Sequence, residues 1–155
     1  MIADVNPFPA TLGRICPHPC ESHCNRGVRD EPLAINALER FLGDYAIAAG
    51  LPLDRLPESP APASIGVVGA GPSGLSFAYQ MARRGYRVTV YDARSKPGGM
   101  LRYGIPEYRL PRAALDDEID LDAPAFADLV PIGADPDSGL PEFWHVPSGA
   151  EPVRL

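Results

Sequence analysis

A glycine-rich turn constrains the fold of this chain more than any other feature of the sequence. Residues 69–74 (GAGPSG) fit the pattern G-x-G-x-x-G, between an apolar strand predicted at 64–69 and a helix predicted from about Pro72 to Arg84. The first glycine of such a turn permits the bend, the second lets the backbone approach a pyrophosphate, and the third lets the helix pack on the strand. Because free N–H groups and the helix dipole favour negative charge, this pattern predicts a dinucleotide phosphate site.

A second strand and an acid support this interpretation. Residues 86–91 (YRVTVY) alternate in the manner of a strand, which predicts a parallel strand–helix–strand unit. Asp92 follows, where an acid commonly holds a ribose hydroxyl. The glycine pair Gly98 and Gly99 is more typical of flavin-binding than of nicotinamide-binding units. The alternative is a glycine turn that only packs, with Asp92 as a solvated acid.

The cysteines are clustered within nine residues, at Cys16, Cys20 and Cys24. Their spacing would place them on one helix face, but Pro17 and Pro19 interrupt a regular helix, so a loop is predicted. A secreted disulfide scaffold would use an even, dispersed set, and the cluster therefore indicates metal ligands. An iron–sulfur cluster, a zinc site completed by His18 or His23, and three free thiols all remain open.

Composition narrows the class of protein. The net charge of −6 and the pI near 5.0 argue against a nucleic-acid or anionic-membrane partner. No apolar run approaches the roughly 20 residues of a membrane helix, and the N-terminus does not resemble a signal peptide. We therefore expect a cytoplasmic protein that associates with neither a membrane nor a nucleic acid.

The chain divides into four predicted parts, residues 1–50, 51–63, 64–120 and 121–155. In the first, a Pro/Cys-rich loop precedes a helix over 32–49, which Gly50 ends and which covers at most one face of the sheet. The second is a Pro-rich linker, and the third ends in a short helix from about Arg112. The fourth holds six prolines and a net charge of −5. It is predicted to be a mobile tail without regular structure.

Two stretches resemble one protein family. Residues 6–46 (NPFPATLGRICPHPCESHCNRGVRDEPLAINALERFLGDYA) resemble the iron–sulfur domain of the glutamate synthase small (beta) subunit family. That family includes the N-terminal part of dihydropyrimidine dehydrogenase and the large subunit of NADH-dependent ferredoxin:NADP oxidoreductase. Residues 66–119 resemble the start of its FAD-binding domain. The resemblance implies a helical domain for two [4Fe–4S] clusters, with FAD passing electrons between them and NAD(P)H.

The resemblance also implies roles for single residues. Two cysteines would ligate one cluster and the third its neighbour: Cys16 and Cys20, then Cys24. Glu39 matches a position where the family uses Glu or Gln as a ligand, the alternative being a surface helix acid. The implied FAD site holds the residues Gly69, Gly71, Pro72, Ser73, Gly74, Asp92, Gly98, Gly99, Met100 and Arg109. Of these, Asp92 would bind the adenosine ribose, while Met100 and Arg109 match loop positions that contact the flavin nucleotide.

The family's upstream cysteine motif and its nested NAD(P)H domain have no counterpart in these 155 residues. Three cysteines and one glutamate form an incomplete ligand set for two clusters. We therefore expect an FAD- and [4Fe–4S]-linked electron-transfer subunit or fragment that is inactive alone. Another redox subunit would supply the missing ligands and the rest of the flavin and NAD(P)H site. A non-catalytic metal-binding or interaction module, and a gene fragment without activity, remain alternatives.

The expected fold class is α + α/β. It combines a small helical iron–sulfur-type segment, a partial Rossmann-like βαβ unit and an irregular acidic tail.

Overall fold

The computed structural model describes residues 2–51, 56, 63–122 and 128–131. Most of the predicted linker and tail therefore lies outside the described residues. Nine helices and strands are described, with one 3₁₀ turn before them at Ile2–Asp4 and one between the second and third helices at Asn25–Val28. Their order is α1 (Pro9–Ile15), α2 (Pro19–Ser22), α3 (Ile35–Ala49), β1 (Ser64–Val68), α4 (Pro72–Arg83), β2 (Arg87–Asp92), α5 (Met100–Tyr103), α6 (Arg112–Asp122) and β3 (Asp128–Pro131). This mixture of helices with a parallel sheet confirms the expected α + α/β class.

The N-terminal segment is more helical than predicted. A loop was expected through residue 30, but α1 forms there with Pro9 at its first position, where a missing N–H costs nothing. The two prolines between the first cysteines act as expected, because α1 ends at Ile15 and α2 begins at Pro19. The loop prediction was wrong because proline breaks a helix interior but suits a helix start.

Helix α3 packs chiefly on α1. It begins three residues later than predicted, at Ile35, and it ends as predicted at Gly50, whose φ of 56° is left-handed. A β-carbon at Gly43 would lie 2.2 Å from the Ala10 nitrogen, so glycine permits the close crossing. Arg14 of α1 donates to both carboxylate oxygens of Asp44, at 2.7 and 3.1 Å. Its apolar residues Leu38, Phe41 and Tyr45 are exposed.

The sheet contains three described strands in the order β1-β2-β3, all parallel. In its register Val67 pairs with Val90, and Thr89 pairs with Asp128. The prediction of no regular element after residue 121 was wrong, because α6 ends at Asp122 and β3 follows. Strand β3 is a four-residue strand ending in proline, and it forms by pairing with β2 rather than by local preference.

One buried cluster joins the helical segment to the sheet. Helix α4 packs on β1 and β2, and its Leu75 and Ala78 are fully buried. Phe8, just before α1, belongs to the same cluster as the strand residues Val88 and Val90. The cluster continues into the later helices through Leu101, Leu110, Leu115 and Ile119. Burial of these side chains therefore holds the cysteine-bearing segment against the glycine turn.

Within the part of the chain that the structure describes, no helix is long and apolar enough to cross a membrane.

Candidate functional site

The glycine turn is a tightly bonded bend between β1 and α4. Gly69 has a φ of 101°, which favours glycine, and its N–H donates to the Tyr91 carbonyl at 2.6 Å. A β-carbon at Gly74 would lie 1.9 Å from the Gly69 carbonyl oxygen. The first and third glycines are therefore required by the turn itself.

Packing within the protein does not explain the second glycine, Gly71. A β-carbon there would meet its nearest described atom, the Gly99 Cα, only at 3.9 Å, so protein packing does not demand glycine. Gly71 caps α4 without a side-chain hydrogen bond, and Pro72 at the first helical position has no N–H. The N–H groups of Ser73 and Gly74 find no acceptor among the described residues. This open helix start fits a phosphate group.

Asp92 lies beside the turn. Its carboxylate accepts the Ala70 N–H at 2.6 Å through Oδ2 and the Arg94 N–H at 2.8 Å through Oδ1. The side chain is half-buried at the end of β2. The structure therefore brings the predicted ribose acid next to the predicted phosphate turn.

The second glycine pair packs directly on the turn. Gly98 has a φ of 116°, and its N–H donates to the Ala70 carbonyl at 2.7 Å. A β-carbon at Gly99 would lie 2.7 Å from the Gly71 Cα. These contacts bring the sequence-separated glycines 69–74 and 98–99 into one site.

Two arginines that sequence reasoning missed hold the loop after this pair. Arg102 is buried; it donates to the Pro97 carbonyl and pairs with Asp116 of α6. Arg112 donates to the carbonyl oxygens of Leu101 and Ile105 at 3.0 and 2.8 Å. The signal lay in the arginines spaced through RYGIPEYRLPR, but their inward direction depends on carbonyl groups that only the fold presents.

Met100 and Arg109 occupy different surroundings. Met100 begins α5 and is 71% exposed, adjacent in sequence to the glycine pair. Arg109 donates through Nη2 to the Ile15 carbonyl at 3.4 Å. Arg109 thus contacts the residue before Cys16, in the helical segment.

The three cysteines occupy three successive short turns. Cys16 follows α1, Cys20 lies on α2 and Cys24 precedes the second 3₁₀ turn. All three are free thiols; Cys20 is exposed and the others are half-buried. Thiolates suit iron–sulfur ligation, but the described residues gather no three Cys, His, Asp or Glu side chains into one metal site. The three thiols are thus accessible ligand atoms, but among the described residues they do not surround one common metal position.

The histidines of this segment bond to its backbone. The Nδ1 atom of His18 lies 3.2 Å from the Cys16 carbonyl, and that of His23 lies 3.1 Å from the Pro19 carbonyl. His18 has a left-handed backbone, with φ of 41°. Both contacts stabilise the local turns.

The Cys24 thiol has a lowered pKa. The causes are hydrogen bonds from the backbone N–H groups, first that of Leu33 and then those of Arg26 and Gly27, aided by the Arg26 charge. Together these groups favour the thiolate, which is the form that binds metals.

Glu39 lies half-buried on α3 and accepts a hydrogen bond from the Asn6 side-chain amide at 2.5 Å. This contact links α3 to the residues before α1. Its role as a metal ligand stays a prediction.

A buried acid was missed altogether. Glu118 of α6 is 3% exposed and accepts the N–H groups of Ala10 at 2.6 Å and Thr11 at 2.8 Å. Burial raises the pKa of this carboxyl, and the hydrogen bonds from Thr11 and Ala10 and the Arg14 charge offset only part of that rise. The signal was an acid between the buried residues Leu115 and Ile119.

These features define a protein class: a helical cysteine segment joined to a nucleotide-binding turn on a parallel sheet. Two family models match the chain in that order. Residues 1–51 match dihydropyrimidine dehydrogenase domain II, 4Fe-4S cluster, and residues 67–116 match the NAD(P)-binding Rossmann-like domain.

Three relatives show how this arrangement is used elsewhere. The chain is 45% identical over 130 residues to the beta subunit of an NADP(+)-dependent formate dehydrogenase from Moorella thermoacetica, covering 70% of this chain and 18% of the relative. It is 40% identical over 115 residues to the glutamate synthase [NADPH] small chain of Mycobacterium tuberculosis, covering 74% and 24%. It is 34% identical over 169 residues to the PreT subunit of the NAD-dependent dihydropyrimidine dehydrogenase of Escherichia coli, covering 93% and 41%.

The chain belongs to the family of the glutamate synthase small subunit and the dihydropyrimidine dehydrogenase PreT subunit, which confirms the resemblance drawn from its sequence. It spans between about a fifth and two fifths of the length of these relatives. The matched family models also confirm the pairing of an iron–sulfur domain with a nucleotide-binding domain.

Proposed function

We propose that this chain is part of an FAD- and [4Fe–4S]-linked NAD(P)H oxidoreductase and that it carries electrons between flavin and clusters. One observation carries the proposal. The open start of α4 faces the second glycine pair beside Asp92, and the same buried core holds the cysteine segment. We keep the division at residues 1–50 and 64–120 as part of this proposal.

The nucleotide part of the proposal rests on the turn. The unbonded N–H groups of Ser73 and Gly74 would bind the pyrophosphate, and the missing side chains of Gly71 and Gly99 would let it approach. Asp92 would orient the adenosine ribose while keeping its bond to the Ala70 N–H. When bound, the flavin would supply hydride and single-electron chemistry, and this chain would bind and orient its nucleotide end.

The cluster part rests on the donors. Cys16, Cys20, Cys24 and Glu39 would serve as ligands, and the N–H groups around Cys24 would stabilise its thiolate. A partial ligand set calls for further ligands from outside these residues. We infer a partner redox subunit, in keeping with relatives that are beta subunits or small chains. The free thiols favour a reducing compartment such as the cytoplasm.

A second candidate function is a non-catalytic metal-binding module. It is favoured by one observation: the described cysteines are not gathered into a single site, and Cys20 is exposed. Metal analysis separates the two, since tight stoichiometric zinc without iron uptake supports the module.

The proposal is tested by titrating the ¹⁵N-labelled full chain with FAD and following its amide signals by NMR. We expect weak binding that shifts the amides of residues 69–74 and 98–100. Gly71→Val fills the open space and should abolish these shifts, whereas Gly66→Ala, at an exposed strand glycine with room for a methyl group, should retain them. Shifts confined to other residues, or unchanged shifts in Gly71→Val, would contradict the proposal.

A further inference from the structure

Glu118 joins the nucleotide-binding part of the chain to the first turn of α1. Pro9 at the first helical position has no N–H, and the next two residues, Ala10 and Thr11, donate to the Glu118 carboxylate. The following N–H, that of Leu12, already bonds to the Phe8 carbonyl. A single carboxylate from α6 therefore satisfies both free donors at the start of α1.

The other end of α1 is held from the same side. The Arg109 guanidinium, from the loop before α6, donates to the carbonyl of Ile15, the last residue of the helix. A negative group at the N-terminus and a positive group at the C-terminus both oppose the helix dipole, so the two contacts favour the same orientation. Glu118 is the stronger of the two, because it is buried and makes two short bonds.

The orientation of α1 determines where the first cysteine lies. Cys16 is the residue that follows Ile15, and its N–H still bonds to the Leu12 carbonyl. A seven-residue helix is only about 10 Å long. Because α1 also packs on α3, we expect the release of its first turn from α6 to tilt the helix on α3 and to move Cys16 relative to the glycine turn.

We propose that Glu118 is a positioning residue, which fixes Cys16 against the nucleotide-binding part by capping α1 from α6. This inference deepens the proposed function, since the distance between cluster and flavin matters only if both are bound. The bonds from Glu118 to α1 are present in the chain without metal or flavin, so the restraint on Cys16 can be measured there.

The test uses the full chain, free of metal and flavin, in four forms: wild type, Glu118→Ala, Glu118→Gln and the control Asp120→Ala. Asp120 is an exposed acid on the same helix. Iodoacetamide labelling with mass spectrometry gives the alkylation rate of Cys16 relative to that of Cys20. Amide hydrogen exchange reports on residues 10–11 and, separately, on β1 and β2.

We expect Glu118→Ala to raise the Cys16-to-Cys20 labelling ratio and the exchange at residues 10–11 by roughly tenfold, as the loss of a charge-assisted bond implies. Exchange in β1 and β2 should change little. Glu118→Gln keeps one acceptor oxygen, so its labelling ratio and its exchange at residues 10–11 should lie between those of wild type and Glu118→Ala. General destabilisation would not produce such a partial rescue. Asp120→Ala should match wild type.

An unchanged labelling ratio in Glu118→Ala would overturn the inference. So would an increase in exchange that is equal across residues 10–11 and the sheet. If Glu118→Ala does not fold, Glu118→Gln decides, because a ratio equal to wild type with unchanged exchange at residues 10–11 contradicts a positioning role. Failure of the chain to bind FAD or iron would count against the proposed function and leave this result unaffected.

Discussion

The glycine turn and the cysteine segment differ in what holds their functional groups in place. The turn is fixed by bonds from distant residues: Tyr91, Asp92 and Gly98 all contact it directly. The cysteines lie on short turns whose described bonds are mostly local, such as Cys24 to Glu21. The backbone of the proposed phosphate site is thus already formed, whereas the proposed thiolate site depends on side chains and on further ligands.

The largest effect is expected from a substitution inside the glycine turn. Gly74→Ala places a methyl group against the Gly69 carbonyl, and we expect a loss of about 3 kcal/mol or more in the free energy of unfolding. Gly66→Ala, with its methyl at ordinary contact distance, should cost less than about 1 kcal/mol. Urea denaturation measures both. Equal costs would mean that the turn is not the close-packed element described here.

Reconstitution of an iron–sulfur cluster tests whether Cys16, Cys20 and Cys24 are metal ligands. Anaerobic reconstitution should yield at most one [4Fe–4S] cluster per chain, because the three thiolates are an incomplete set for two. Cys16→Ser and Cys20→Ser should remove the cluster absorbance more fully than Cys24→Ser. Iron analysis with visible spectra checks this, and two clusters per chain, or equal loss in all three variants, would count against it.

Burial of Glu118 makes the free energy of unfolding depend on pH. Its raised pKa means that the folded chain holds a proton at pH values where the unfolded chain has released it. The free energy of unfolding should therefore fall as pH rises from about 4.3, the ordinary glutamate pKa, through the raised value. Denaturation at several pH values should show a shallower fall in Glu118→Gln than in wild type. Identical slopes would show that Glu118 is not linked to folding.

The smallest effect concerns the packing of α3 on α1. Asp44 is 41% exposed and pairs with Arg14 and, within α3, with Arg40 at 3.6 Å, so Asp44→Asn removes the charge of both pairs and should cost about 0.5–1 kcal/mol. The cost should shrink in high salt, because screening weakens partly exposed pairs. A salt-independent loss in denaturation experiments would point to packing rather than charge.

The features that sequence reasoning predicted well are local. The strand, turn, helix and second strand around residues 64–92 follow from glycine spacing and side-chain alternation, and the structure forms them within a residue or two of the expected bounds. Gly50 likewise ends α3 because a left-handed residue suits glycine.

The features it missed depend on distant partners. Strand β3 exists because Leu129 and Val130 pair with β2. In the sequence Glu118 resembles any other helix acid, because its partners Ala10 and Thr11 are more than 100 residues away along the chain. The start of α1 was not predicted because proline breaks a helix interior but is favoured at the first helical position, which Pro9 occupies.

The glycine turn is preformed by bonds from distant residues, whereas Cys16, Cys20 and Cys24 lie on turns held mostly by local bonds, and amide hydrogen exchange on the metal-free full chain measures this difference. The account predicts slow exchange at Gly69, Ala70 and Gly98, whose N–H groups bond across the turn, and faster exchange over residues 17–33. Equal rates in the two regions, or slower exchange in the cysteine segment, would contradict it.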